Sequence, residues 1–311
     1  MANEHIKALK QVIKGRTTLP ILKCIAHSDG KLMATDLTVM VQIDTPNIMD
    51  GIWLPEVLEM GFREELLSTE YTLQDYPELP ELKLVQEVEL TAEDMEKILR
   101  ASDFISKDMT RPVLTGVAVK GNKIYGTDGY KLYRNSIENE LSEQVIIPTE
   151  CIKVLKAVKA GKRNWTLDVY DDGDMSFTSG NITIYSKIIE GSLPMYDQLL
   201  ENTEFDTQFT LDLKTLHVPK DYIILVNRED MTISVADKDD RRKNIVVDNA
   251  VGIGEGHYQN ADERNVVMPL IGSDTKKYVE LDPALLKPYG KHTIKMYRNK
   301  NNNQVEVEII K

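Results

Sequence analysis

FISKDMTRPVLTGVAVKGNKIYGTDGYKLYRN, residues 104–135, decides the fold. It opens on two basic residues, Lys107 and Arg111. Two apolar-rich runs follow, Val113–Lys120 and Lys123–Gly126, with the composition of short strands. A Thr-Asp-Gly turn then leads into Tyr130, Lys131 and Leu132. The same pattern occurs earlier in the chain. Sliding by 92 residues puts Leu19-Pro20-Ile21-Leu22 on Arg111-Pro112-Val113-Leu114, Lys31-Leu32 on Lys123-Ile124, and Thr35-Asp36 on Thr127-Asp128, with no gap. The segment before it stays in register too, Ile6 over Ile98 and Ile13 over Ile105.

A period of this length is a domain, not a solenoid unit. Periodicity predicts helices over His5–Ile13, Pro55–Leu67, Thr91–Ile105 and Pro148–Ala160, the third opening on a capping box, Thr91 to Asp94. Strands are predicted at Pro20–Ala26, Lys31–Ala34, Val39–Ile43, Ile52–Leu54, Leu82–Leu90, Lys131–Ile137, Val145–Ile147, Trp165–Tyr170, Met175–Thr178 and Ile182–Ile189. The rhythm restarts near Phe205 in more diverged form, with a short helix at Pro283–Tyr289 and a closing hairpin, Thr293–Arg298 with Gln304–Ile310. Three related domains result, 1–87, 88–203 and 204–311. Strands carry most of the chain, so the fold class is α+β, with antiparallel sheet and two helices on one face of each domain.

Composition is that of a globular protein, 28% charged and 41% hydrophobic. The chain has no 18-residue apolar run, and its start, MANEHIKALK, lacks a signal-type apolar core. A cytoplasmic protein with no membrane partner is expected. Cys24 and Cys151 are then reduced, buried thiols. No Cys/His spacing suggests a metal site, and no cofactor is called for.

The net charge of −12 argues against a nucleic-acid partner only if charge is evenly spread. It is not. Lys153, Lys156 and Lys159 recur every three residues beside the apolar stripe Ile152, Leu155, Val158, with Lys162 and Arg163 beyond. The first helix repeats the arrangement with Lys7, Lys10 and Lys14, followed by Arg16. Acids collect elsewhere, in 78–96, 138–143 and 168–174. Lysines on one amphipathic helix are ordinarily a solvated face. Two such helices in repeated domains point to a surface that holds a polyanion. The helix expected at Pro55–Leu67, with Glu56, Glu59, Glu64 and Glu65, makes that lining uneven.

Asp36 and Asp128 occupy equivalent turns. Paired carboxylates can hold Mg²⁺ or act as acid and base, but a turn aspartate usually bonds local backbone. Gly252-x-Gly254-x-Gly256 lacks the following helix that a dinucleotide site requires, and reads as a loop. No catalytic residue is assigned.

TRPVLTGVAV, GTDGYKL, VIIPTECIKVLK and IIEGSLPMYDQLL, in that order and spacing, resemble the middle domain of bacterial sliding clamps, the beta subunits of replicative DNA polymerase III. GRTTLPIL near the start is similar to the matching loop of the first clamp domain. The resemblance is specific over Glu89–Leu200, fair over Ile6–Ile43 and weak beyond Phe205. It implies a non-enzymatic processivity factor: a homodimeric ring, helices lining the hole and sheets outside. Such a ring encircles duplex DNA without regard to sequence and is placed there by a clamp loader ATPase. By resemblance Arg16, Lys107 and Arg111 are DNA contacts, and the lysine stripes line the hole. A partner-peptide pocket for DNA polymerase and other clamp-motif proteins falls on Leu114, Thr127, Gly129, Tyr130, Lys131, Leu132, Pro194 and Leu199. Members often have His-Arg where this chain has Tyr130-Lys131, and the family's C-terminal Met-Pro tail has no counterpart in Glu308–Lys311. Such divergence suits a clamp carried by a phage or other mobile element. Two competing readings are a clamp-fold module that sequesters clamp-binding partners without encircling DNA, and a metal-dependent nuclease using Asp36 or Asp128.

Overall fold

The computed structural model describes residues 3–14, 18–129, 131–193, 205–213, 222–227, 232–237, 244–246, 251–258, 266–269, 278–281, 286, 293–299 and 304–310. Helix α1 (Asn3–Ile13) leads into a 3-10 turn at Pro20–Lys23, then β1 (Ile25–Ser28), β2 (Lys31–Thr35), β3 (Val39–Asp44) and β4 (Gly51–Trp53). A four-residue helix α2 (Val57–Met60) and a connection with 3-10 turns at Glu64–Leu66 and Leu73–Asp75 lead to β5 (Leu84–Leu90) and helix α3 (Ala92–Ala101). A second Pro-initiated 3-10 turn, Pro112–Leu114, precedes β6 (Val117–Thr127) and β7 (Leu132–Ile147). Helix α4 (Thr149–Ala157), β8 (Trp165–Tyr170), β9 (Asp174–Ser179) and β10 (Ile182–Lys187) follow. The remainder is strand: β11 (Phe205–Asp212), β12 (Tyr222–Asn227), β13 (Thr232–Asp237), β14 (Asn244–Val246), β15 (Val251–Tyr258), β16 (Val266–Pro269), β17 (Tyr278–Leu281), β18 (Thr293–Asn299) and β19 (Gln304–Ile310).

Several expected elements differ. Both Leu/Arg-Pro runs form a 3-10 turn before the strand starts, so Pro20 and Pro112 stand at its first position, where the missing N–H costs nothing. The expected helix over Pro55–Leu67 is α2 alone plus a 3-10 turn at Glu64–Leu66. Gly61, at φ +82°, ends α2. Phe62 then turns edge-on to Trp53, their rings 5.2 Å apart. Helix α4 stops at Ala157, and Lys159 sits in the left-handed region at φ +55°. Gly252, Gly254 and Gly256 lie in β15, a strand and not a loop. The strand pairs expected around residues 121 and 138–143 are continuous β6 and β7. The helix expected at Pro283–Tyr289 lies outside the described residues apart from Leu286.

Two compact units emerge. The first comprises Met1–Ile124 and Ser136–Ser192, the second Tyr125–Asn135 and Leu193–Lys311. In the first, eight strands form one antiparallel sheet in the order β4-β1-β2-β3-β10-β9-β8-β5. The seam between its halves is β3 on β10, paired from Ile43↔Ile182 to Val39↔Ser186. Alternation places Ile25, Leu32, Ala34, Val41, Ile43, Leu167, Phe177, Ile182 and Ile184 in the core, all fully buried. On the helical side this core meets Ala8, Leu9 and Val12 of α1 and Cys151, Val154 and Leu155 of α4, also buried. The capping box forms as expected: Asp94 N donates to Thr91 Oγ1 (3.1 Å) and Thr91 N to Asp94 Oδ2 (3.1 Å).

The opposite face is covered in its N-terminal half, where Cys24, Ala26 and Ile52 pack against Tyr71, Leu73 and Tyr76. Further along, it is polar: Tyr170 Oη lies 3.1 Å from Ser176 Oγ, which donates to Asp168 Oδ2 at 3.2 Å. Both cysteines are free and buried, and burial pushes the Cys151 thiol up to about 12.

In the second unit, antiparallel strands run β15-β11-β18-β19-β16 and continue to β7, where Val266 and Val267 pair with Tyr133 and Leu132. The closing hairpin β18–β19 forms as expected, from Thr293↔Ile310 to Arg298↔Val305. A second sheet has the order β14-β13-β12-β17.

Candidate nucleic-acid interface and partner turn

Helix α1 packs on β2 and β3, helix α4 on β10, and the two helices pack on each other. Since β3 and β10 are neighbours, both helices lie on one face of the sheet. Arg163 fastens them. Its Nη2 makes an ion pair of 2.6 Å with Glu4 Oε1 and donates to Val158 O at 2.8 Å, and its guanidinium lies 5.8 Å from the Trp165 ring. Arg163 was not singled out as a site residue. Its signal was its place between the lysine stripe and a buried tryptophan.

This arrangement brings the two expected lysine stripes into one helical layer. With Ala8, Leu9 and Val12 inward, Lys7 and Lys14 are exposed and Lys10 is half-buried. With Ile152, Val154 and Leu155 inward, Lys153 and Lys156 are exposed. Lys159 and Lys162 are exposed as well, but beyond the helix end and not on its stripe. The layer is partly neutralised. Lys10 pairs with Glu59 (3.0 Å), Lys153 with Glu150 (3.6 Å) and Lys156 with Asp103 (3.1 Å). Lys7, Lys14, Lys159 and Lys162 have no acid partner among the described residues. Helix α3 adds exposed Glu93 and Glu96. Exposed pairs of this kind contribute about 0–1 kcal/mol each, so a polyanion exchanges with them at little cost.

Lys107 and Arg111 are exposed on the loop after α3. Asp108 organises that loop: its Oδ1 accepts from Thr110 N (3.0 Å) and Thr110 Oγ1 (2.7 Å), and its Oδ2 lies 3.3 Å from Arg111 Nε. These donors, the Thr110 hydroxyl first, lower its carboxyl below the usual range. Arg16 lies outside the described residues.

The Thr-Asp turns are built alike in the two repeats. Leu37 N donates to Thr35 Oγ1 and Gly129 N to Thr127 Oγ1, both at 3.0 Å. Val39 N donates to Asp36 Oδ1 and Lys131 N to Asp128 Oδ1, both at 2.9 Å. The residue after the aspartate has positive φ in each, +75° at Leu37 and +91° at Gly129. The duplication therefore reaches individual hydrogen bonds. Both aspartates are engaged in turn formation, the structural role usual for an aspartate at such a place.

Of the residues assigned to the partner pocket, Leu114 is half-buried in the first unit. Thr127, Gly129, Lys131 and Leu132 belong to the second. Lys131 is held 3.7 Å from Asp128, and Leu132 is 7% exposed and paired with Val267. Leu132 is thus a packed strand residue more than a presented one. Tyr130, Pro194 and Leu199 lie outside the described residues.

Antiparallel sheets backed by helices, with a domain-length repeat, define a clamp-type fold. Comparison with solved structures agrees. The beta subunit of DNA polymerase from Streptococcus pyogenes superposes with TM-score 0.70 at 15% identity, covering 99% of this chain and 96% of that one. Residues 89–195 match the central domain of the DNA polymerase III beta subunit. The chain is 26% identical over 250 residues to the beta sliding clamp of Staphylococcus epidermidis (65% of this chain, 65% of that protein). It is 29% identical over 224 residues to that of Synechocystis (65% and 56%). The aligned part thus spans about two thirds or less of those relatives. The chain is thus similar to the bacterial beta sliding clamps, in fold over its length and in sequence most specifically over the central domain.

Proposed function

We propose that this chain is a non-catalytic DNA polymerase processivity factor, a clamp that closes as a homodimer of three-domain subunits (1–87, 88–203, 204–311) around duplex DNA. The observation that carries this reading is the side-by-side placement of α1 and α4, which gathers Lys7, Lys14, Lys153 and Lys156 on the helical face of one sheet. A ring needs only a diffuse positive lining, because topology and not affinity sets its residence time; strong contacts would stop sliding. Pairing of half the lysines with acids suits weak, mobile contact. Lys107, Arg111 and Arg16 extend the DNA surface, and the Thr127–Leu132 turn with Leu114, Pro194 and Leu199 receives polymerase, clamp loader ATPase and other clamp-motif peptides.

The test is retention on nicked circular DNA after loading. Linearisation should release the protein, and Lys7→Gln with Lys14→Gln should lower DNA affinity and flatten its salt dependence by about two phosphate contacts. Equal retention on circular and linear templates would refute encirclement. A second reading, a clamp-fold module that sequesters clamp-binding partners, is favoured by the acids Glu93, Glu96 and Glu59 within the helical layer. A stable monomer that binds clamp-motif peptides and no DNA would select it.

A further inference from the structure

The first unit has a recess that the proposed clamp function does not use. Its cavity, about 180 Å³, is lined by Leu37, Val39 and Met40, by Leu79 and Leu82, and by Tyr185. Met40 and Tyr185 face each other across the β3–β10 seam. Gln42 Nε2 approaches the sulfurs of both Met33 (3.6 Å) and Met40 (3.7 Å), which puts the recess on the face that also carries Met33 and Tyr76. A space of this size takes one aromatic ring or branched aliphatic side chain.

Three observations say what fills it. First, Leu37 is a leucine held at φ +75° with 53% of its surface exposed, where the repeat-equivalent turn has glycine. A left-handed leucine costs about 1 kcal/mol or more, which the turn alone would avoid by using glycine, so the side chain itself has a use. Second, the lining has two carboxylates and one base. Lys187 is committed to Asp174 at 3.4 Å, and Glu78, exposed, has no counterion among the described residues. Third, the wall from Glu78 to Leu82 belongs to no helix or strand, and its backbone makes no hydrogen bond among the described residues; Pro77 bounds it and Pro80 interrupts it. Backbone groups left unpaired in this way can bond a short extended segment, while the prolines discourage longer pairing.

We infer that this recess docks an extended peptide segment of a partner protein, with one large apolar side chain in the cavity and a lysine or arginine beside it on Glu78. The inference does not depend on encirclement of DNA and uses none of the residues placed in the helical layer or in the Thr127–Leu132 turn.

The probe is a random heptapeptide phage library selected on the full chain, followed by fluorescence anisotropy with the enriched peptides. Leu37→Gly is the decisive variant, since glycine suits the backbone there and folding is preserved. Enriched sequences should pair an apolar residue with a base, and Leu37→Gly and Glu78→Lys should each weaken them on the order of tenfold or more. Changing the peptide's base to glutamate should restore binding to Glu78→Lys. No enrichment, or enriched peptides that bind both variants as they bind the wild type, would overturn the inference. So would concentration-dependent self-association lost in Leu37→Gly and untouched by peptide, which would assign the recess to a second copy of the chain.

Discussion

Leu37 and Gly129 occupy one turn in two copies, and the comparison isolates a backbone effect. Both have positive φ and both donate to the threonine two residues back. Gly129→Leu should destabilise by about 1–2 kcal/mol, the cost of a left-handed side chain. Leu37→Gly should be neutral or stabilising by up to about 0.5 kcal/mol, because glycine's extra unfolded-state freedom offsets part of the relief. Chemical denaturation should show a lower midpoint for Gly129→Leu and an unchanged or higher one for Leu37→Gly; a clear loss in Leu37→Gly would contradict the turn as described. Asp168 offers a second residue-level test. Its Oδ1 is buried with no partner among the described residues, and burial raises its carboxyl, with nearby Glu89 adding to the effect against donation from Ser176 and Tyr170. An acid whose folded pKa is raised penalises the folded state once ionised, so the penalty is present at neutral pH and fades as pH falls through that raised value. Asp168→Asn should therefore melt higher than wild type at pH 8, with the advantage shrinking in acid. A constant difference across pH would show that charge is not the cause.

At the scale of elements, the chain announced its helices by caps and apolar spacing and misled where glycine or proline intervened. The Thr91–Asp94 capping box was legible because both partners are local, and it forms in full. Thr91→Ala should cost about 1 kcal/mol, read as a lower denaturation midpoint at unchanged slope. Helix α2 was overread because acids at Glu56, Glu59, Glu64 and Glu65 suit a helix by propensity, while Gly61 and the Phe62–Trp53 packing decide against it. Lys159 looked like a third rung of the α4 stripe, yet the helix ends two residues before it. The lysine surface was legible as separate stripes. What joins them, the β3–β10 seam and the Arg163–Glu4 pair, links residues far apart in sequence and leaves no periodic signal. The recess around Leu37 was hidden for the same reason, since its walls come from three distant segments.

For the molecule as a whole, the β3–β10 seam has a mechanical consequence. Residues on either side of position 87 read as separate repeats, yet their strands share one hydrogen-bonded sheet with β4 and β5 at its two margins. The first unit is therefore a single stiff plate, not two beads on a hinge. Parting the two halves of the plate has to break the β3–β10 ladder, from Ile43↔Ile182 to Val39↔Ser186, along its whole length. Native-state amide hydrogen exchange should show β3 and β10 opening together with β2 and β9 as one unit; fast exchange confined to β3 and β10 would place a compliant joint at the seam. Any deformation this protein undergoes while working then has to be absorbed outside that plate.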